Sequence, residues 1–306
     1  MGYHLPVMLE ECMEGLNIAP NGVYVDVTFG GGGHSRAIME RLGEGGRLYA
    51  FDQDADALRN AIDDSRFVLI HENFKYMKNF LRLHGVRKVD GILADLGVSS
   101  HQFDEASRGF STRLDGELDL RMDQRQEVSA KELVNEWDED ELKRIFKLYG
   151  ELPNAAQMAR AICMARKESA IETTMQLRVA VQRQLPRGME NKYLAMLFQA
   201  LRIEVNGELE ALQMMLEQSV DVLSEGGRLV VVSYHSLEDR MVKNLMKTGN
   251  IDGKLEKDFY GNVLSNIKPV TRKAVTPSAE ELETNNRSRS AKLRVGEKVG
   301  GVELSI

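Results

Sequence analysis

A chain of 306 residues, 42% of them hydrophobic, can bury a substantial core and holds one large domain or two. Its net charge of −7 argues against a protein that coats nucleic acid nonspecifically, although net charge says little of local patches. Cys12 and Cys163 are too far apart in sequence to suggest a disulfide framework or zinc site, no apolar run reaches membrane-spanning length, and Glu10 and Glu11 stand where a signal sequence would be basic, so a cytoplasmic protein without a membrane partner is expected.

The first strand is read at Val23-Tyr24-Val25-Asp26-Val27, and it runs into four consecutive glycines, Gly30 to Gly33. Ser35 to Leu42 then has helical apolar spacing and stops at Gly43. Glycine permits positive φ and lets a ligand touch the main chain, while the following helix offers unpaired N–H groups and a partial positive end. That unit suits a nucleotide-like cofactor. The dinucleotide fingerprint is not met, because counting from Gly30 the sixth position is Ser35 rather than glycine. An acidic strand end followed by glycines instead resembles the first motif of S-adenosylmethionine-dependent methyltransferases, with Thr28 where many of those enzymes have glycine. A glycine turn that merely packs a helix on a sheet would look similar.

A second strand, Gly45 to Asp52, closes on an acid about twenty residues beyond the glycines, where a carboxylate can accept ribose hydroxyls. Asp52-Gln53-Asp54-Ala55-Asp56 looks like the start of a calcium loop, but the turn glycine is replaced by Ala57 and the closing glutamate by Asp63, so no metal is expected. Asp54 and Asp56 are read instead as the start of a helix through Ala57, Leu58, Ala61 and Ile62. Third and fourth strands follow at Phe67 to Ile70 and Val89 to Asp95. From Glu105 to Leu201 the strand signal stops, and capping pairs such as Ser129 with Glu132, Asp138 with Glu141 and Thr173 with Gln176 open successive helices. Trp137, Leu142, Ile145, Phe146 and Tyr149 are the expected core of that stretch. Sheet-type sequence returns at Gly226 to Ser233, Ile267 to Val275 and Ala291 to Val295. The fold expected is a doubly wound, mostly parallel α/β sheet formed by 1–104 and 202–306, with an all-helical domain inserted at 105–201.

Ligands of open α/β sheets bind outside the carboxyl ends of the strands. Those ends carry the glycines with His34, then Asp52, then His71 to Phe74, then Asp95 to Gln102, and finally Ser233 to Arg240. Any one could be packing or capping, as His71 and His84 are read, but together they describe a site. Arg272 with Lys273, and Arg287, Arg289, Lys292 and Arg294, form local basic clusters able to meet phosphates or to line a solvated strand.

The chain resembles the bacterial small-subunit ribosomal RNA cytosine-N4 methyltransferases, the RsmH or MraW family. The matching residues are His4 to Leu9, Gly32-Gly33-His34, Asp95 to Ser100, Arg108 to Ser111, Leu118 to Asp123, Phe198 to Asn206, His235 to Arg240 and Asn286 to Ser290. The resemblance implies a Rossmann-like methyltransferase fold and S-adenosylmethionine held by Gly32, Gly33, His34, Asp52, Phe74, Asp95 and Gln102. It also implies a target cytidine in the decoding region of 16S ribosomal RNA, presented by the small ribosomal subunit, and it is compatible with a homodimer. Gly31 stands where some relatives have arginine and Tyr234 where many have phenylalanine, so neither position is expected to carry the chemistry.

The N4 amine of cytosine is a weak nucleophile whose lone pair is delocalised into the ring, so positioning must supply much of the rate. DNA amino-methyltransferases place an Asp/Asn-Pro-Pro-aromatic motif at the fourth strand's end; Asp95-Leu96-Gly97-Val98 stands there instead, and Asp95 is expected to organise the centre. Arg108, Phe110, Tyr234, His235, Ser236, Arg287 and Arg289 are the expected substrate contacts, with Phe110 or Tyr234 stacking on an unstacked base.

Overall fold

The computed structural model describes residues 6–261 and 263–300, so the matched His4 and Leu5 lie outside the described residues. The described residues form two compact units, one running to Gly97 and resuming at Leu209, the other spanning Val98–Glu208. The helical unit therefore begins before 105 and ends after 201, because Val98 packs with its core and the helix through Glu204 belongs to it.

In the first unit, strands β1 (Val23–Asp26), β2 (Arg47–Phe51), β3 (Phe67–Ile70), β4 (Val89–Asp95), β5 (Leu223–Ser233), β6 (Ile267–Pro269) and β7 (Lys292–Lys298) form one sheet in the order β3-β2-β1-β4-β5-β7-β6. The first five are parallel neighbours, and β7 runs antiparallel to both β5 and β6. Strands buried on both faces read as nearly continuous apolar runs. Val25, Ile92 and Val231 enter one layer with Met77, Leu81, Leu212, Met215 and Leu245 from helices Met77–Leu83, Glu208–Val222 and Ser236–Thr248. Tyr24, Leu93 and Val230 enter the other with Cys12, Leu16, Ala37 and Ile38 from helices Leu9–Leu16 and Gly33–Arg41. A fully buried Ile92 or Ile38 contributes about 2 kcal/mol by transfer alone. The strand order reverses between β1 and β4, which opens the crevice where such sheets bind ligands.

Three sequence expectations need correction. The segment opened by Asp54 is a 3-10 helix, Ala55–Asn60, that stops before Ala61 and Ile62, as the chain turns and Asp64 takes the Arg66 backbone N–H at 2.8 Å. The strand read from Ile267 to Val275 ends at Pro269, because Val270 and Thr271 both donate to the Val295 carbonyl, a two-against-one bulge, and Val275 rejoins β7 only as an isolated bridge to Leu293. Strand β5 starts earlier than Gly226, at Leu223, with an irregular register opposite Val89 and Gly91.

In the second unit, Leu142, Ile145 and Phe146 of helix Glu139–Leu148 pack with Met158 and Ile162 of Ala155–Glu168 and Leu197 and Leu201 of Glu190–Asn206. Trp137 and Tyr149 close the edge of this core. All three expected capping boxes form, at Ser129, Asp138 and Thr173. Among the described residues no helix is long and apolar enough to cross a membrane.

Candidate active site at the strand ends

Asp26 ends β1 and is buried to 1% exposure. Its carboxylate accepts the Ser35 hydroxyl at 2.7 Å and the Thr28 N–H at 3.1 Å, tying the strand to the first turn of helix Gly33–Arg41. The Thr28 hydroxyl accepts the main-chain N–H of Asp95 at 2.7 Å, joining the end of β1 to the end of β4. Burial pushes the Asp26 carboxyl up, against its hydroxyl and N–H donors.

Between these ends lies the glycine turn. Gly30 and Gly32 take positive φ of 51° and 75°, and a Cβ on Gly32 would lie 2.7 Å from the Arg36 guanidinium and 2.9 Å from the Phe29 ring. A Cβ on Gly33 would strike Pro6 at 2.3 Å. Gly31 is exposed and a Cβ there would meet nothing within 4 Å, so the turn presents bare main chain to open space. Asp52, at the end of β2, accepts the Gly30 N–H at 2.7 Å on one oxygen and the Asp54 N–H at 2.8 Å on the other. Each oxygen keeps a second lone pair, and burial raises this carboxyl to about 6. The cradle and the carboxylate acceptor both fit a nucleoside-bearing cofactor. Asn73 closes the neighbouring edge by donating to the Gln53 carboxamide at 2.7 Å, and Phe74 follows it, partly buried against the sheet.

Asp95 is the centre of the arrangement. The Tyr234 hydroxyl donates to its Oδ1 at 2.7 Å, and His34 Nδ1 lies 3.8 Å from its Oδ2. His34 Nε2 meets the Val7 carbonyl at 3.0 Å, and since a carbonyl only accepts, Nε2 carries the proton. Burial lifts the Asp95 carboxyl to about 6, with His34 and the Tyr234 bond pulling it down and Asp26 and Glu238 pushing it up. The hydroxyl that phenylalanine would lack is thus the atom that reaches Asp95. Its ring also lies against Gly97, at 3.4 Å from a Cβ built there.

After β5, Glu238 is buried and accepts the Tyr234 N–H at 2.8 Å and the His235 N–H at 3.3 Å, so the third residue of helix Ser236–Thr248 folds the preceding turn back onto itself. His235 Nε2 lies 3.1 Å from the other Glu238 oxygen, close but not aligned as a hydrogen bond. A cavity of about 260 Å³ opens here, lined by Tyr234, His235, Ser236, Thr276, Arg289 and Lys292. Arg289 is exposed and, among the described residues, has no acidic partner. Arg287 sits beside it on the 3-10 turn Asn286–Ser290. Arg294 is committed elsewhere, to Asp239 at 2.7 Å, with Lys292 at 3.6 Å from the same carboxylate.

Gln102, Arg108 and Phe110 belong to the helical unit. The Gln102 carboxamide oxygen accepts the Ser99 N–H at 3.0 Å and closes a capping box on helix Ser100–Asp104. Arg108, 3% exposed, donates to the carbonyls of Arg121 at 3.0 Å and Met122 at 3.2 Å, and Asn206 accepts the Met122 N–H at 2.7 Å. Phe110 is 3% exposed in the unit's core, so its ring has no free face for a base and the stacking expected of it is replaced by packing. The segment from Arg108 to Asp123 is a fastened corner of the helical unit.

Sequence reasoning passed over Thr28 as a departure, met Ser35 only as a missing glycine and Glu238 only inside a strand-end run, and did not name Glu281, whose carboxylate accepts the Met8 N–H at 2.9 Å. Glu238 carried a signal, an acid three residues into a helix; Glu281 carried none, lying 273 positions from its partner.

The family model described as the MraW methylase family matches residues 1–299. Ribosomal RNA small subunit methyltransferase H of Flavobacterium johnsoniae is 54% identical over 299 residues, covering 98% of this chain and 99% of that protein. The protein of the same name from Bacteroides thetaiotaomicron is 55% identical over 296 residues, covering 97% of each. Among solved structures, an rRNA methylase from Streptococcus thermophilus aligns over 95% of this chain and 94% of its own at 12% identity, with a TM-score of 0.42.

Proposed function

The chain belongs to the MraW methylase family, its methyl donor is S-adenosylmethionine, and from that premise we propose that it methylates the exocyclic N4 amine of a cytidine in the decoding region of 16S ribosomal RNA, within the small ribosomal subunit. The observation that carries the reading is the Asp95 carboxylate, half-buried at the end of β4 beside the glycine turn and held by a hydroxyl donor.

Gly32, Gly33, His34, Asp52, Phe74 and Asp95 are assigned to the cofactor, with Asp52 on the ribose and Phe74 against the base. When bound, S-adenosylmethionine supplies a methyl group activated by the sulfonium. Asp95 accepts an N–H bond of the target amine and so orients its lone pair, a positioning effect that lowers the barrier without any strong base. A nitrogen that takes on the methyl group must shed a proton, and the Asp95 carboxylate would receive it. A carboxyl near 6 is ionised at neutral pH yet basic enough for that task.

The strand-end cavity beside Tyr234 is the proposed entrance for the RNA. Arg289 would meet phosphates there, with His235 and Ser236 lining the same wall, and Arg287 would add a phosphate contact from the adjoining turn. The helical unit is proposed as an inserted domain that adds to RNA binding. A panel of small subunits, bare ribosomal RNA, duplex DNA and ribosomal proteins, each offered with methyl-labelled cofactor, tests the substrate. Transfer to subunits alone or to bare RNA supports an RNA target; transfer only to DNA or protein would overturn it.

A further inference from the structure

We propose that Tyr234 is a positioning residue that acts through Asp95: its hydroxyl fixes the carboxylate in one orientation and keeps it ionised in a half-buried site. The inference rests on the reading of Asp95 as the group that orients the target amine and takes its proton.

The geometry divides the two oxygens of Asp95 between different tasks. Oδ1 is occupied by the Tyr234 hydroxyl at 2.7 Å, and among the described residues Oδ2 has only His34 Nδ1, at 3.8 Å, beyond hydrogen-bond reach. The main-chain N–H of Asp95 is held by Thr28, which fixes the backbone from which the carboxylate projects. Tyr234 is itself anchored at both ends, its N–H by Glu238 at 2.8 Å and its ring against Gly97. The residue therefore presents a fixed donor to one oxygen and leaves the other for the substrate.

The electrostatics give this bond a purpose. Among the described residues, the groups around Asp95 are His34 from helix Gly33–Arg41, Asp26 from β1, Glu238 from helix Ser236–Thr248 and the thiol of Cys12 from helix Leu9–Leu16. Asp26 and Glu238 oppose its charge, His34 favours it, and burial opposes it most. The Tyr234 hydroxyl is the one hydrogen bond among the causes of the shift that stabilises the charged form. Burial and the neighbouring carboxylate hold the phenol well above its ordinary value, so it stays a donor throughout the neutral range. Removing it weakens the ionised state, and the carboxyl must titrate at higher pH.

The test is Tyr234→Phe, which keeps the ring and removes the donor. The acid limb of the kcat/KM profile should move alkaline by about one pH unit, and the carboxyl carbon of Asp95, observed in cofactor-free protein labelled at aspartate and identified by its loss in Asp95→Asn, should titrate higher by a similar amount. Replacement of tyrosine by 3-fluorotyrosine, a stronger donor, should move the same carbon in the opposite direction. An unmoved carboxyl titration in both would overturn the inference. If Asp95→Asn leaves turnover unchanged, the reading of Asp95 fails instead, and the carboxyl titration still decides the role of Tyr234.

Discussion

The Thr28 hydroxyl and the Asp95 main-chain N–H meet at 2.7 Å across the reversal of strand order, so the ends of β1 and β4 are tied at the point where the site opens. A glycine at position 28 would leave that N–H without this acceptor. Thr28→Val keeps the shape and removes the oxygen, and the unmatched N–H should cost about 1–3 kcal/mol. Urea unfolding measures this, and calorimetry with S-adenosylhomocysteine should show weaker binding; an unchanged midpoint and affinity would remove Thr28 from the account.

Asp95 carries opposite consequences for folding and for activity. Its folded pKa, about 6, lies above the ordinary 3.8, so its contribution to stability is complete below the unfolded value and is lost as pH rises through about 6. At pH 7.5 the ionised, half-buried carboxyl is a burden of up to about 3 kcal/mol. Asp95→Asn should therefore unfold at a higher temperature than the natural protein at pH 7.5, with the difference shrinking as pH falls through about 6 and closing below about pH 4. Turnover of the same variant should fall by about 10²-fold or more. A destabilised variant with full turnover would contradict both halves.

Adjacent glycines of the turn should respond differently. Gly31→Ala adds a methyl into open space and should leave the thermal midpoint unchanged. Gly32→Ala forces a side chain to φ 75° and into Arg36 and Phe29, and should cost about 1–3 kcal/mol. Thermal unfolding of the two side by side checks the contrast.

Arg289 should matter to RNA and not to the fold. Arg289→Ala removes an exposed cation from the cavity wall, so its unfolding midpoint should match the natural protein. Its affinity for small subunits should fall several-fold, with the slope of log K against log salt reduced by about one. Binding measured at a series of salt concentrations reads this, and an unaltered slope would exclude a phosphate contact.

Much of this architecture is legible in the sequence. The apolar runs at Val23, Leu48, Val68 and Ile92 are strands because both faces of the sheet are covered, and the capping pairs of the helical unit declare themselves by spacing alone. The glycines, Asp52 and Asp95 could be named because ligand sites gather at strand ends. What escaped depends on contacts distant in sequence. The bond from Tyr234 to Asp95 spans 139 positions, and a hydroxyl added to an aromatic ring has no periodicity to betray it. Phe110 and Arg108 sat in a matching motif and suggested substrate contact, but their burial belongs to the packing of the helical unit, which local pattern does not reveal.

The most direct test of the account is the identity of the methylated nucleoside. Small subunits lacking endogenous modification would be incubated with the protein and methyl-labelled S-adenosylmethionine, and the RNA digested to nucleosides and separated. Label is expected in N4-methylcytidine. Label in any other nucleoside would contradict the assigned target atom, and no label despite measured cofactor binding would contradict ribosomal RNA as the substrate.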